Sequence, residues 1–195
     1  MTDPQSDLFE MRRLESLSNT IFGVAMTLLA YDLPKPNFAQ LPGWTELAHT
    51  YSGRLAGLVL SFIIAGVFWI SHHRRLARQP FGSRFIVILN LFFLLSIVLL
   101  PVTNGLYTNY PMSSAVAVLY GLNLTAIAGL NAWLWWVILG SWRRESMASM
   151  FPLLVFIPGT IVAAFAPHIA PFLWFLAFGG LLIRRFYGAP AGADA

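Results

Sequence analysis

Along residues 13–34, RLESLSNTIFGVAMTLLAYDLP, several side chains recur at a spacing suited to carrying an ion. Thr20, Val24, Thr27 and Tyr31 stand at i, i+4, i+7 and i+11, with Leu28 beside them, so on a helix they share one stripe. No Asp, Glu, Lys, Arg or His lies between Glu15 and Asp32. Facing water, alternating hydroxyls and apolar groups would make a narrow, uncharged ion path. Facing a neighbouring helix, Thr27 would instead bond back to a carbonyl of its own helix, a common habit of threonine in membrane segments.

A second group is FWISHHRRLARQ, residues 68–79. His72 and His73 are adjacent, hence about 100° apart on a helix, and cannot chelate one metal together. Either they join Trp69 in an interfacial aromatic and basic belt, or one of them bonds inward to Ser18 or Asn19 at the polar start of the first helix. Asn90, Ser96, Thr103 and Asn104 form a third group, in a mostly apolar helix. Such groups hold membrane helices together at about 0.6 kcal/mol each and specify no chemistry alone. Enzyme templates fit poorly. Apart from Asp32 at the last turn of the first, no carboxylate lies within an expected span, and neither a phosphate-binding glycine loop nor a nucleophile elbow occurs. Proton-coupled carriers usually bury an Asp, Glu or His in the membrane; only the histidine pair could serve, and it sits at an end. The pattern favours passive passage over pumping.

The elements that must position these groups are membrane helices. Of 195 residues, 57% are hydrophobic and 10% charged, against roughly 25% charged in a soluble domain. Several apolar runs approach the roughly 20 residues that span a bilayer, and they are continuous, unlike the alternating segments of a membrane β-barrel. Six spans are expected, at about Ser16–Leu33, Arg54–Arg78, Arg84–Tyr107, Ser113–Trp142, Ser146–Phe165 and Ile169–Tyr187. Pro34 stops the first, and Pro101 is expected to kink the third. The N-terminal MTDPQSDLFEMRR has no apolar core and does not read as a cleavable signal. Residues 1–187 form one membrane domain, and the tail GAPAGADA, 188–195, is expected to be disordered. Without cysteine there are no disulfides or thiolate metal sites.

Basic residues fix the orientation. Arg12 and Arg13, then Arg74, Arg75, Arg78 and Arg84, then Arg143 and Arg144, then Arg184 and Arg185 all fall on one side if there are six spans. The other side receives Lys35 and Arg54. Both termini are therefore expected in the cytoplasm, and the net charge of +4 reflects topology, not a nucleic-acid partner. The two halves show no self-similarity of the inverted-repeat kind.

The first three helices together resemble the bacterial and archaeal potassium channels of the transmembrane protein 175 family. The family's first helix opens with Arg, three residues, then Phe-Ser-Asp, followed by a phrase like V-F-A-I-A-I-T-L-L. Here Arg13 is followed by Leu17-Ser18-Asn19 and IFGVAMTLLAYDLP. Trp69, His72, His73 and Arg74 match the second-helix phrase, and Asn90, Leu100, Pro101, Thr103 and Tyr107 match the third. The resemblance implies a homotetramer with four first helices lining a central pore. It implies an apolar constriction at Val24, a hydroxyl layer at Thr27 past which potassium moves transiently, and Thr20, Leu28 and Tyr31 along the same wall. It also implies a structural polar network of Arg13, Ser18, Asn19, Trp69, His72 and His73. Two departures stand out: Leu17 and Asn19 replace the family's Phe and Asp, and Asn19 cannot pair electrostatically with Arg13. Val24 is smaller than the usual Ile or Leu, which implies a wider constriction.

The expectation is thus an all-α membrane protein of six transmembrane helices in the cell membrane of a prokaryote. It works as a potassium-preferring, passive cation channel, not an enzyme, with no cofactor and with lipid, monovalent cations and its own copies as partners. The alternatives are a non-conducting membrane scaffold or a small secondary transporter.

Overall fold

Polar residues gather where helices begin and end in this chain, and the computed structural model, which describes residues 8–31, 33, 41–140 and 144–178, follows them. A three-residue strand β1 (Leu8–Glu10) leads into helix α1 (Met11–Tyr31). Helix α2 (Trp44–Leu76), strand β2 (Phe81–Ser83), and helices α3 (Arg84–Asn109), α4 (Ser114–Leu139), α5 (Arg144–Phe165) and α6 (Ala170–Phe175) follow. Helix α2 begins at Trp44, well before the expected Arg54. Its 33 residues extend about 50 Å at 1.5 Å per residue, against a hydrocarbon layer of about 30 Å, so its polar first turns project beyond the apolar layer.

Among the described residues, α2, α3 and α4 are long and apolar enough to cross a membrane, and α5 has a shorter apolar part, Ser149–Phe165. Helix α1 is too polar in its first turns to join them. Helix α6 continues as a 3-10 turn, Leu176–Phe178. The rest of the expected sixth span, Arg184, Arg185 and the tail 188–195 lie outside the described residues, as do Asp32, Pro34, Lys35 and Arg143.

Helix α3 packs against α1, α2 and α4, and α4 in turn against α5. The α4–α5 approach is close at Gly121, where a Cβ would meet the Thr160 backbone at 3.2 Å; small residues permit this kind of contact between membrane helices. Pro101 is buried inside α3, and the helix runs on through it to Asn109.

Polar side chains tie the layers together. Ser61 Oγ of α2 lies 2.8 Å from both Asn104 Oδ1 of α3 and the Tyr120 hydroxyl of α4. The Asn123 amide is 3.1 Å from Thr103 Oγ1. The expected third group is therefore a set of interhelical pins, apart from Ser96, which bonds to Phe93 O at 2.6 Å within α3.

One element was not expected. β1 pairs antiparallel with β2 in the register Leu8–Ser83, Phe9–Gly82 and Glu10–Phe81, and Met11 N donates to Pro80 O at 3.0 Å. Two three-residue strands are too short for an alternating pattern to announce them. They clip the start of α1 to the α2–α3 connection, at the arginine-rich end of the bundle.

Candidate functional site

Helix α1 buries Met11, Leu14, Ser18, Phe22, Ala25 and Leu29. Their spacing of three or four residues defines the face packed on α2 and α3. The opposite face carries Thr20, Val24, Thr27, Leu28 and Tyr31, all exposed on the protomer. Val24 is 53% and Tyr31 72% accessible, against 1% for Phe22 on the packed side. The five side chains thus share one exposed face, and no other described helix covers it.

The Thr27 hydroxyl donates to Gly23 O at 2.9 Å and to Val24 O at 2.8 Å, and Thr20 Oγ1 donates to Ser16 O at 3.1 Å. The back-bonding habit is present, but it does not exclude the other reading. A hydroxyl has one proton and two acceptor lone pairs, so a proton turned towards the helix leaves the oxygen available to a cation.

The packed face is anchored near the arginine-rich end. Phe22 meets His72 at 5.8 Å and Phe93 at 5.9 Å between ring centroids, and His72 stacks on Phe93 at 5.5 Å. Ser18 Oγ donates to Leu14 O at 2.7 Å and accepts from Asn90 Nδ2 at 3.3 Å. Trp69 Nε1 donates to Asn19 Oδ1 at 2.8 Å. An amide oxygen of α1 therefore takes the tryptophan proton.

The histidines divide the work differently from the expectation. His73 is the one that reaches α1, and its partner is Glu15, with Nδ1 2.8 Å from Oε1, while its ring stacks on Trp69 at 5.9 Å. His72 turns inward to Arg75, neither to Ser18 nor to Asn19. Arg13 bonds with Glu10 at 3.1 Å, an exposed pair of the kind worth little to stability, and it takes no part in the Ser18–Asn19 contacts.

Arg75 was counted with the topological cations, yet it is fully buried. Its Nη1 donates to Asn131 Oδ1 at 2.8 Å, its Nη2 lies 2.5 Å from His72 Nδ1, and its guanidinium sits 5.3 Å from the Phe93 ring centroid. Arginine only donates, so His72 Nδ1 is the acceptor and the proton of the neutral ring resides on Nε2. Asn131 Oδ1 also accepts from Ser71 Oγ at 3.2 Å, and Ser71 Oγ accepts from Trp135 Nε1 at 2.9 Å. Glu15, Arg75 and Asn131 are the members that sequence reasoning missed. An opposite charge near His73 was a usable signal for Glu15; a partner 56 residues from Arg75 leaves none.

The site holds no carboxylate pair aimed at a common point, and among the described residues no three His, Asp or Glu cluster to hold a metal. What the geometry offers is an uncharged wall on α1, held rigidly from behind.

Residues 13–101 match the family model described as endosomal/lysosomal potassium channel TMEM175. A potassium channel of Streptomyces collinus is 30% identical over 133 residues, 65% of this chain and 64% of that protein; the match thus spans just under two thirds of the relative. The crystal structure of a lysosomal potassium-selective channel TMEM175 homologue from Chamaesiphon minutus superposes with a TM-score of 0.76. It is 20% identical, over 89% of this chain and 97% of that one. A threonine-to-alanine variant of the potassium channel MtTMEM175, bound to a nanobody fusion, gives a TM-score of 0.57 at 15% identity, over 90% and 93%. At these identities the two structures show a shared fold.

Proposed function

We propose, on the match of residues 13–101 to the family model described as endosomal/lysosomal potassium channel TMEM175, that the chain assembles as a homotetramer whose four α1 helices enclose a passive, potassium-preferring cation path. Val24 forms the apolar constriction and Thr27 the hydroxyl layer beyond it, past which potassium moves transiently. Thr20 precedes the constriction, and Leu28 and Tyr31 continue the wall towards the opposite end. Both termini face the cytoplasm of a prokaryotic cell, and the channel needs no cofactor and performs no catalysis.

The observation that carries this reading is the outward face of α1, where Asn19, Thr20 and Thr27 are exposed with Val24 and Leu28. Thr20 and Thr27 place their protons on carbonyls of their own helix, but against lipid their remaining acceptor lone pairs would meet only hydrocarbon, which offers no donor. A helix turned to water gains acceptor oxygens. Four valines leave a ring that a partly hydrated cation can cross when it is open and that dewets when it narrows. His72, Phe93 and Asn90 support the packed side, so the four copies would present one fixed face to the axis.

Liposomes holding the purified protein and a potassium gradient test the reading. Downhill potassium flux without any counter-substrate is expected. No flux would make the chain a scaffold, and flux only with a second gradient would make it an exchanger. In the same assay, replacing Thr27 by Ala should lower the potassium-to-sodium permeability ratio about threefold, since losing four hydroxyls costs only ~0.65 kcal/mol of preference at that factor. A ratio that stays put would mean Thr27 serves its own helix alone.

A further inference from the structure

At the end of the bundle away from the arginine cluster, a cavity of about 480 Å³ opens between the first third of α2, the end of α3 and the start of α6. Its lining changes character along α2. His49, Thr50 and Arg54 come first, then Gly57, and Leu60 last; ten residues of helix from Thr50 to Leu60 cover about 15 Å. Pro171 and Phe175 of α6 close the apolar side.

Among the described lining residues Arg54 is the arginine, and none of them is Asp or Glu. One guanidinium nitrogen, Nη2, donates to Asn109 Oδ1 at 3.0 Å. A guanidinium has five N–H donors in a planar fork, so the amide oxygen holds one edge and orients the group without neutralising it. Depth follows from the helix itself. Arg54 precedes Leu76 by 22 positions, about 33 Å of rise, which is close to one hydrocarbon thickness of about 30 Å. With Leu76 at one membrane surface, Arg54 lies at the headgroup level of the other. Exposed Tyr110, next to the Asn109 that holds Arg54, stands at the same level, as interfacial aromatics do.

We propose that this cavity binds an anionic phospholipid, with the phosphate on Arg54, the glycerol region beside Thr50 and His49, and an acyl chain running inward along Leu60 and Phe175. The site is independent of the conducting path. The charge selects a phosphate ester, and the apolar depth selects one that carries a tail.

Native mass spectrometry of the full chain in detergent reads the site directly, with phosphatidylglycerol, phosphatidylcholine and soluble glycerol phosphate as probes. Phosphatidylglycerol should be retained about fivefold more tightly than phosphatidylcholine, the advantage of one basic side chain at a membrane surface. Arg54→Gln should erase that preference. Gly53→Phe, placed where a Cβ meets nothing within 4 Å, should fill the mouth and weaken both lipids while leaving Arg54 in place. A preference that survives Arg54→Gln, or lipid retention unchanged by Gly53→Phe, would overturn the assignment. So would glycerol phosphate displacing the lipid at equal concentration, which would make this a site for free phosphate esters. Each variant is checked for an unchanged thermal transition, and because binding is read without flux, either outcome leaves the pore reading standing.

Discussion

Replacing Val24 by asparagine is expected to raise potassium flux into liposomes about tenfold, and replacing it by phenylalanine to stop flux altogether. Tenfold corresponds to about 1.4 kcal/mol off the barrier. Fourfold symmetry places four copies of any change at one level of the proposed pore, so about 0.35 kcal/mol from each amide suffices. Carboxamides offer oxygen to a cation that an isopropyl ring can only force through partly dehydrated, and they keep a narrow ring wet. Phenylalanine acts in the opposite sense, filling the axis with apolar volume. The protomer accommodates either change at an exposed position, since Val24 is 53% accessible. If both variants conduct like the parent, Val24 faces lipid or another subunit and the constriction lies elsewhere. Thr27 one turn later could not produce a comparable gain, since it already presents oxygen.

How much of this was visible in the sequence depends on the distance over which each feature is determined. The α1 stripe is a local matter: a period of 3.6 and the order of residue types place Thr20, Val24, Thr27 and Tyr31 on one face, and the described residues leave that face open. Helix ends were legible where apolar runs stop, and illegible at α2. Residues 44–53, WTELAHTYSG, are polar enough to resemble a loop, but helix hydrogen bonds are internal and do not require an apolar surround. The histidine pair was half legible. Adjacent positions must point apart, so one inward and one outward histidine follows from geometry; which α1 residue answers His73 depends on side-chain reach, and the longer Glu15 wins over Ser18 and Asn19. Arg75 was illegible. Within HHRRLARQ it resembles its neighbours, and its burial is decided by Asn131 on α4 and Phe93 on α3, which no local pattern links to it.

That buried guanidinium carries the second large effect: Asn131→Leu should destabilise the protein by about 2–3 kcal/mol, seen as a thermal transition lowered by roughly 5–10 °C. No carboxylate among the described residues pairs with Arg75, and its Nε already has no hydrogen-bond partner. Asn131 Oδ1 thus supplies the shortest oxygen contact to a charge held away from water, and leucine replaces it with nothing that accepts. The penalty comes from the charge left behind, not from the bond lost. Adding Arg75→Met to Asn131→Leu should therefore restore most of the stability, because removing both partners removes the stranded group. Asn131→Asp should keep or raise stability by giving the guanidinium a true counter-ion. Additive losses in the double variant would mean the two residues act separately and that Arg75 finds water or another acceptor when Asn131 is gone. Restoration would instead locate the cost in one stranded charge, beneath the His72, Phe93 and Phe22 rings on which α1 rests.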